Sequence, residues 1–236
     1  YINELPYNIR QNCGMLLALH ASDKKPNSFG IFLPLINELI EYDQRPIEID
    51  LEDGRTEKFY VRLLFVIADA PARADLLNCK SFNSYNGCNW CFVKGEYLHK
   101  AIRYPMISDC QSRSNEAWRQ GIEEATPKNT PFGIKGPCQL SRLDYVQLNI
   151  VAPPEYMHSQ LIGTVKLIVD SWLGLIKGVP RRLTEIQLKS INNRLKFIKF
   201  PCKQIRPMQL LDDTWKAFDY EVFLLYGFIA LQDILE

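Results

Sequence analysis

The sequence predicts an α/β first third that gives way to a mostly helical remainder, and three observations predict it. Residues 59–68 (FYVRLLFVIA) are apolar and β-branched and follow a turn signal at Asp53-Gly54. Residues 31–42 (IFLPLINELIEY) place apolar side chains at helical spacing. Beyond Pro153-Pro154, three further segments show the same helical spacing.

Each element has its own reason. Residues 14–19 (GMLLAL) are a short apolar run, expected to be a buried strand. The polar stretch 22–28 (SDKKPNS) holds a proline and reads as a loop. In the 31–42 helix, Ile31, Leu35, Ile36, Leu39 and Ile40 form the apolar face, and Pro34 fits only near the first turn. Residues 47–51 (IEIDL) alternate, so with 59–68 they read as strand, turn, strand. The second strand is apolar on both faces in its latter half, which predicts a central position in a sheet.

Residues 79–140 are rich in Cys, Asn, Ser, Gly and Pro and read as irregular. Helices are then expected over 157–177, carried by Leu161, Val165, Ile168 and Trp172, over 183–197, and over 213–235. The last opens on Asp212-Asp213-Thr214, a cluster of N-capping residues. Its aromatic stripe, Phe218, Phe223, Tyr226 and Phe228, reads as core packing. The chain thus divides into 1–78, a strand-and-helix part, and 79–236. The latter comprises a cysteine-containing irregular part (79–153) and a helical part (154–236).

With 28 basic and 27 acidic residues, global charge selects no partner. Its distribution is uneven: residues 157–210 hold ten Lys/Arg against two Asp/Glu, and residues 211–236 hold one against six. Such blocks mark either a functional surface or two solvated helices. No run reaches the ~18 apolar residues of a membrane span. Tyr1 opens the chain with no secretory signal, as expected of an internal fragment. Seven cysteines without such a signal suit a reducing compartment.

Asp69 ends the best strand, where a rigid backbone can present a carboxylate to Mg2+ or Mn2+. It can equally cap a helix starting at Ala70-Pro71. Gly87-Cys88-Asn89-Trp90-Cys91 is a C-x2-C pair, half of a tetrahedral zinc site, with Cys79, His99, Cys110 and Cys138 as candidates to complete it. The alternatives are two free thiols in a turn, or a redox pair, for which the motif lacks a helix opening after a strand. Glu155 and His158 lie where the 157–177 helix begins, and a carboxylate there needs no catalytic reason.

Taken in order, several runs resemble CACTA-type (En/Spm-like) DNA transposases of the version found in animals. They are Tyr1-Ile2-Asn3-Glu4-Leu5-Pro6, Lys24-Lys25-Pro26, Phe32-Leu33-Pro34-Leu35 with Glu38-Leu39, and Asp69-Ala70-Pro71-Ala72-Arg73-Ala74. Further on come Phe82-Asn83 before the Cys88/Cys91 pair, Gly95-Glu96, Met157-His158 with Gly163, and Trp215-Lys216-Ala217 with Leu224-Leu225-Tyr226. They span nearly the whole chain.

The resemblance implies a partial RNase H-like catalytic core in 1–78 and a largely helical, zinc-knuckle-containing insertion in 79–236. In that topology a three-strand meander carries the first Asp of an Asp-Asp-Glu triad. A helix follows, then a fourth strand that delivers the second Asp. With 14–19 as the third strand, Asp69 matches the second acid, and Cys88, 19 residues on, falls in the family's zinc insertion. The remaining acids and the family's His-x-x-x-His would then lie outside this chain, whose histidines are His20, His99 and His158. The rival assignment takes Asp69, Glu155 and Asp219 as the triad within the chain, although the family shows Asp and Glu where Glu155 and Asp219 stand.

The implied function is metal-dependent DNA strand cleavage and transfer in a full-length nuclear protein, with no activity expected of this piece by itself. It would act with Mg2+ or Mn2+ at Asp69 and structural Zn2+ at Cys88 and Cys91. Lys177, Arg181, Arg182, Lys189, Arg194, Lys196, Lys199 and Lys203 would track phosphates at transposon ends. Multimers on paired ends are the family's habit. A catalytically dead or host-adopted copy acting as a DNA- or protein-binding scaffold is the alternative. A plain zinc-stabilised interaction domain is the third, with Cys79, Cys88, Cys91 and His99 as its only possible ligand cluster.

Overall fold

The computed structural model describes residues 6–10, 16–21, 23–24, 28–98, 100–199 and 215–235. Among the described residues helix is mixed with two small two-stranded sheets. Two compact units divide it. One spans Tyr1–Val66, Pro71–Tyr97 and Ile102–Pro153; the other spans Ile67–Ala70, Leu98–Ala101 and Pro154–Glu236.

The first unit holds the Leu33–Gln44 helix, with Pro34 in the first turn and Ile36 and Leu39 buried. Its hairpin pairs Ile47–Asp50 with Thr56–Phe59, antiparallel, through the turn at Gly54, where φ is 81°. The ribbon is exposed on both faces. Facing polar pairs support it: Lys58 reaches Glu48 at 3.0 Å and Thr56 donates to Asp50 at 2.7 Å. The core gathers Leu77, Trp118, Ile134, Leu143 and Leu148, each almost wholly buried. The Asn115–Glu124 helix starts at Ser114, whose hydroxyl accepts from the Ala117 amide at 3.1 Å. A Cβ on Gly121 of this helix would meet Ile134 Cδ1 at 2.5 Å, so glycine lets helix and chain close.

Two strand expectations are corrected. Residues 16–19 of the 14–19 run have no regular structure, and Leu16, Leu17 and Leu19 are exposed; residues 14 and 15 lie outside the described residues. The second strand stops at Phe59 instead of running to Ala68 as a central strand. The reason is pairing: its partner ends at Ile47, opposite Phe59. Beyond that, the Val66 amide donates to the Val151 carbonyl at 2.8 Å, and the Leu63 amide donates to the Tyr145 hydroxyl at 3.2 Å. Leu64, Phe65 and Ile67 remain exposed. Apolar, β-branched composition favours a strand only where an edge and a face are available.

In the second unit a wide helical segment, Met157–Val165, runs into the α-helix Lys166–Leu173 and ends at Gly174, whose φ of 72° suits a glycine terminus. Leu161, Val165 and Val169 form its buried face. The Glu185–Phe197 helix opens with a reciprocal cap between Thr184 and Gln187 and buries Leu188, Ile191 and Leu195. The last helical stretch is broken into Ala217–Val222, Phe223–Gly227, Ile229–Leu231 and Gln232–Leu235. The expected cap cluster, Asp212-Asp213-Thr214, lies outside the described residues. Here the Asp219 carboxylate accepts from the Lys216 amide at 2.8 Å. The aromatic stripe is divided: Phe223 is buried against Trp215 and Trp172, while Phe218 and Tyr226 are exposed. Among the described residues no helix is long and apolar enough to cross a membrane.

Candidate functional site

The C-x2-C loop is built by backbone anchors. The Tyr104 hydroxyl donates to the Ser84 carbonyl at 2.5 Å and accepts from the Gly87 amide at 2.7 Å. A Cβ on Gly87 would meet the Ser81 carbonyl at 2.3 Å, so only glycine lets the loop pass there. On the other side, Phe92 donates to Gln111 at 3.1 Å and Arg113 to Trp90 at 2.8 Å, which pins the Cys91 segment to residues 111–113.

Between these anchors the Cys88 and Cys91 sulfurs lie 3.2 Å apart. Tetrahedral zinc with Zn–S bonds of about 2.3 Å sets its sulfurs roughly 3.8 Å apart, so the pair fits after opening slightly. Burial, first of all, raises the Cys88 thiol. The Cys79 thiol is engaged separately: it donates to Asn89 Oδ1 at 3.4 Å, and burial pushes it up to about 11. Cys138 is buried and raised for the same reason, and Cys110 leans on the Gln111 carbonyl at 3.9 Å. His99 lies outside the described residues. Cys88 and Cys91 therefore stand as a pair of neighbouring sulfurs, and among the described residues no group of three or more His, Cys, Asp or Glu gathers.

Asp69 directly precedes the Ala70–Leu76 helix. Ala68 forms a parallel bridge with Pro154, which puts Asp69 and Glu155 one residue beyond the same rung, in the second unit. Glu155 is heavily used. Its carboxylate accepts from the Met157 and His158 amides, each at 2.7 Å, and meets His158 Nδ1 at 2.6 Å. The His158 amide bond, first among these, holds the Glu155 carboxyl below its ordinary value. Asp219, the third acid of the rival triad, is committed to the start of its own helix. A hard divalent ion seeks six or more oxygens. The described acids amount to a neighbouring pair of positions and fall short of a complete magnesium set.

The basic residues separate into two kinds. Arg181 is ion-paired with Glu185, and Arg194 binds Asp233 through both guanidinium nitrogens. The second pair joins the basic block to the acidic one, so part of the charge asymmetry is cancelled within the unit. Lys177, Arg182, Lys189, Lys196 and Lys199 are exposed and form no ion pair among the described residues; Lys203 lies outside them. Sequence reasoning missed Arg113, Tyr104 and Trp118, which frame the cysteine loop. No motif announces them, because their roles depend on contacts across 17 to 29 residues of chain.

Comparison with protein-family models, curated proteins and solved structures gives no significant match to this chain.

Proposed function

We propose that this chain is part of a cut-and-paste DNA transposase of the CACTA type, working on transposon ends in the nucleus. The observation that carries the reading is the parallel bridge of Ala68 with Pro154, each of which is followed directly by an acid. The same bridge supports the assignment within the chain, because it brings together two of that assignment's three acids, Asp69 and Glu155, beside one rung.

The reaction class is in-line attack on a phosphodiester, by water and then by a 3′-hydroxyl. Mg2+ or Mn2+ is the cofactor this reading requires, and Asp69 is the residue that would offer it a carboxylate. Glu155 fixes the start of the Met157–Val165 helix and orients His158. Cys88 and Cys91 would hold structural zinc, and the exposed lysines would contact phosphates.

A second reading, a catalytically silent DNA- or protein-binding scaffold, is favoured by the use of the Glu155 carboxylate as a cap. One experiment separates the two. The full chain and its Asp69→Asn variant are incubated with supercoiled plasmid and Mn2+, with Mn2+ binding followed by paramagnetic resonance. Metal binding and nicking that both depend on Asp69 support the enzyme. DNA binding with neither supports the scaffold, and failure to bind DNA at all overturns the enzyme and leaves only a protein-binding scaffold.

A further inference from the structure

Cys79 and Ile134 face each other in an antiparallel bridge, and both are buried in the core. The Lys80 amide donates to the Gly133 carbonyl at 2.7 Å and the Lys135 amide to the Asn78 carbonyl at 3.0 Å. Side chains alternate along extended chain, so Lys80 and Lys135 turn outward, and both are exposed. The Tyr85 carbonyl accepts from the Gly95 amide at 2.7 Å, which brings exposed Lys94 beside the Tyr85 segment. A Cβ on Gly133 would meet the Asn86 carbonyl oxygen at 2.2 Å, so that segment also lies against Gly133. Residues 78–95 and 126–136, joined by these contacts, hold four lysines and no Asp or Glu. None of the four lysines forms an ion pair among the described residues.

Phe132 lies on this face with φ 50° and ψ 24°, the left-handed region that bulky side chains rarely enter. Arg113 holds it there by donating to the Phe132 carbonyl at 2.7 Å, and the Gly133 amide closes the turn on the Thr130 carbonyl at 3.0 Å. Strain of this kind concentrates at ligand-binding sites. The Phe132 ring meets Phe92 edge to face, with centroids 4.8 Å apart, and the residue stays 49% exposed. Tyr85 is 50% exposed. Half-exposed rings on an anchored backbone, among lysines without acids, do not suit a protein partner, whose buried contacts are poor in lysine. A nucleotide matches both features: its base offers a flat face to a ring and its phosphate a charge to a lysine. A duplex keeps those faces inside its own stack, whereas a single strand frees them.

We propose that this face of the first unit binds single-stranded nucleic acid, with Phe132 and Tyr85 stacking unpaired bases and Lys80, Lys94 and Lys135 contacting phosphates. Glu96 and Glu124 lie just outside the two runs, so the basic strip is short and suits a few nucleotides. The proposal does not rest on the transposase reading. It concerns the first unit, whereas the basic residues 177–199 belong to the second, and it requires no strand cleavage.

The test titrates the full chain into labelled oligothymidine, oligouridine and a duplex of equal length, read by fluorescence anisotropy over a salt series. Both single strands are expected to bind more tightly than the duplex, and the tighter of the two identifies the sugar preferred. Phe132→Gly removes the ring while suiting the positive φ, and is expected to weaken single-strand binding by about 5–100-fold. Phe132→Tyr keeps a ring and should stay close to the parent. Lys80→Gln with Lys135→Gln should flatten the dependence of log affinity on log salt by about 1.4, roughly 0.7 for each phosphate of a single strand. Thermal melts accompany each variant. Should Phe132→Gly not fold, the lysine pair decides, since both side chains are exposed. An iodouracil-bearing oligomer, irradiated on the parent and mapped by mass spectrometry, should crosslink at Phe132 or Tyr85. Tighter binding of the duplex, parent affinity in Phe132→Gly, an unchanged salt slope in the lysine pair, or crosslinks confined to residues 177–199 overturns the proposal. So does binding of oligoglutamate at this face in place of nucleic acid, which would make it a docking surface for an acidic peptide.

Discussion

Ala68 and Pro154 face each other across a parallel bridge, and each is followed at once by an acid, Asp69 and Glu155. Neighbouring extended segments run about 4.8 Å apart. Disulfides accept Cα separations of roughly 4.4–6.8 Å, so the two positions lie within crosslinking reach. The double substitution Asp69→Cys with Glu155→Cys is expected to close a disulfide on mild oxidation, read by peptide mapping in a mass spectrometer. Recovery of both cysteines free, or paired only with native thiols, would remove the main support for the catalytic reading.

Glu155 also makes a prediction about acid. Its carboxyl is lowered from an ordinary 4.5, chiefly by the His158 amide and then by the Met157 amide. A lowered carboxyl stabilises the fold above its unfolded value, and that contribution is lost as pH falls through the folded value. Glu155→Ala is therefore expected to melt below the parent near neutral pH, with the gap closing as the buffer is taken below 4.5. Circular dichroism melts at several pH values measure it. A gap that stays constant into strong acid would show that the carboxylate charge contributes nothing to the helix start.

Helical parts of the fold were legible where local rules decide them. Pro34 in a first turn and the buried row Ile36, Leu39 followed from spacing alone, and a helix expected over 183–197 is found at Glu185–Phe197. Strands were less legible. Residues 59–68 have strand composition, but the ladder needs a partner, and their partner ends at Ile47. At the candidate site, the Cys88/Cys91 spacing and Asp69 could be read from the sequence, because each is a local signal. The proximity of Asp69 to Glu155 could not: it depends on a bridge between residues far apart in the chain. Arg113 resembled any surface arginine until Phe92, Trp118 and the Cys91 carbonyl enclosed it.

Cys79 predicts an alkaline weakness. Burial raises its thiol from 9.0 to about 11, so the folded chain holds this proton more tightly than the unfolded chain does. The sign follows: the stabilisation is complete below the unfolded value and is lost as pH rises through the folded one. It amounts to about 3 kcal/mol. Urea denaturation from neutral pH to pH 11 should show the parent losing that much more stability than Cys79→Ala, which has no thiol to ionise. Parallel curves for the two proteins would mean that the Cys79 thiol ionises as readily in the folded chain as in the unfolded one.

Trp118 ties the first unit's core to the cysteine loop. It is fully buried, and its indole donates to the Asn89 carbonyl at 3.2 Å. Trp118→Ala is expected to cost about 3–5 kcal/mol. Trp118→Phe keeps a buried ring and should cost less, while leaving the Asn89 carbonyl without its donor. Chemical denaturation gives both values, and near-equal costs would place the energy in the hydrogen bond and not in the packed ring.

Lys189 and Lys196 lie seven residues apart on the Glu185–Phe197 helix, hence on one face, and both are exposed. Arg194, on the same helix, is already engaged with Asp233. If this face tracks a DNA backbone, Lys189→Gln with Lys196→Gln should weaken duplex binding for every sequence alike. The dependence of log affinity on log salt should flatten by about 1.8, roughly 0.9 for each phosphate contact removed. Arg194→Gln should do something different: it breaks the pair with Asp233 and destabilises the unit without a matching change in salt slope. Fluorescence anisotropy of a labelled duplex across a salt series separates the two effects. An unchanged slope in the double lysine variant would move the DNA contact to another surface of the protein.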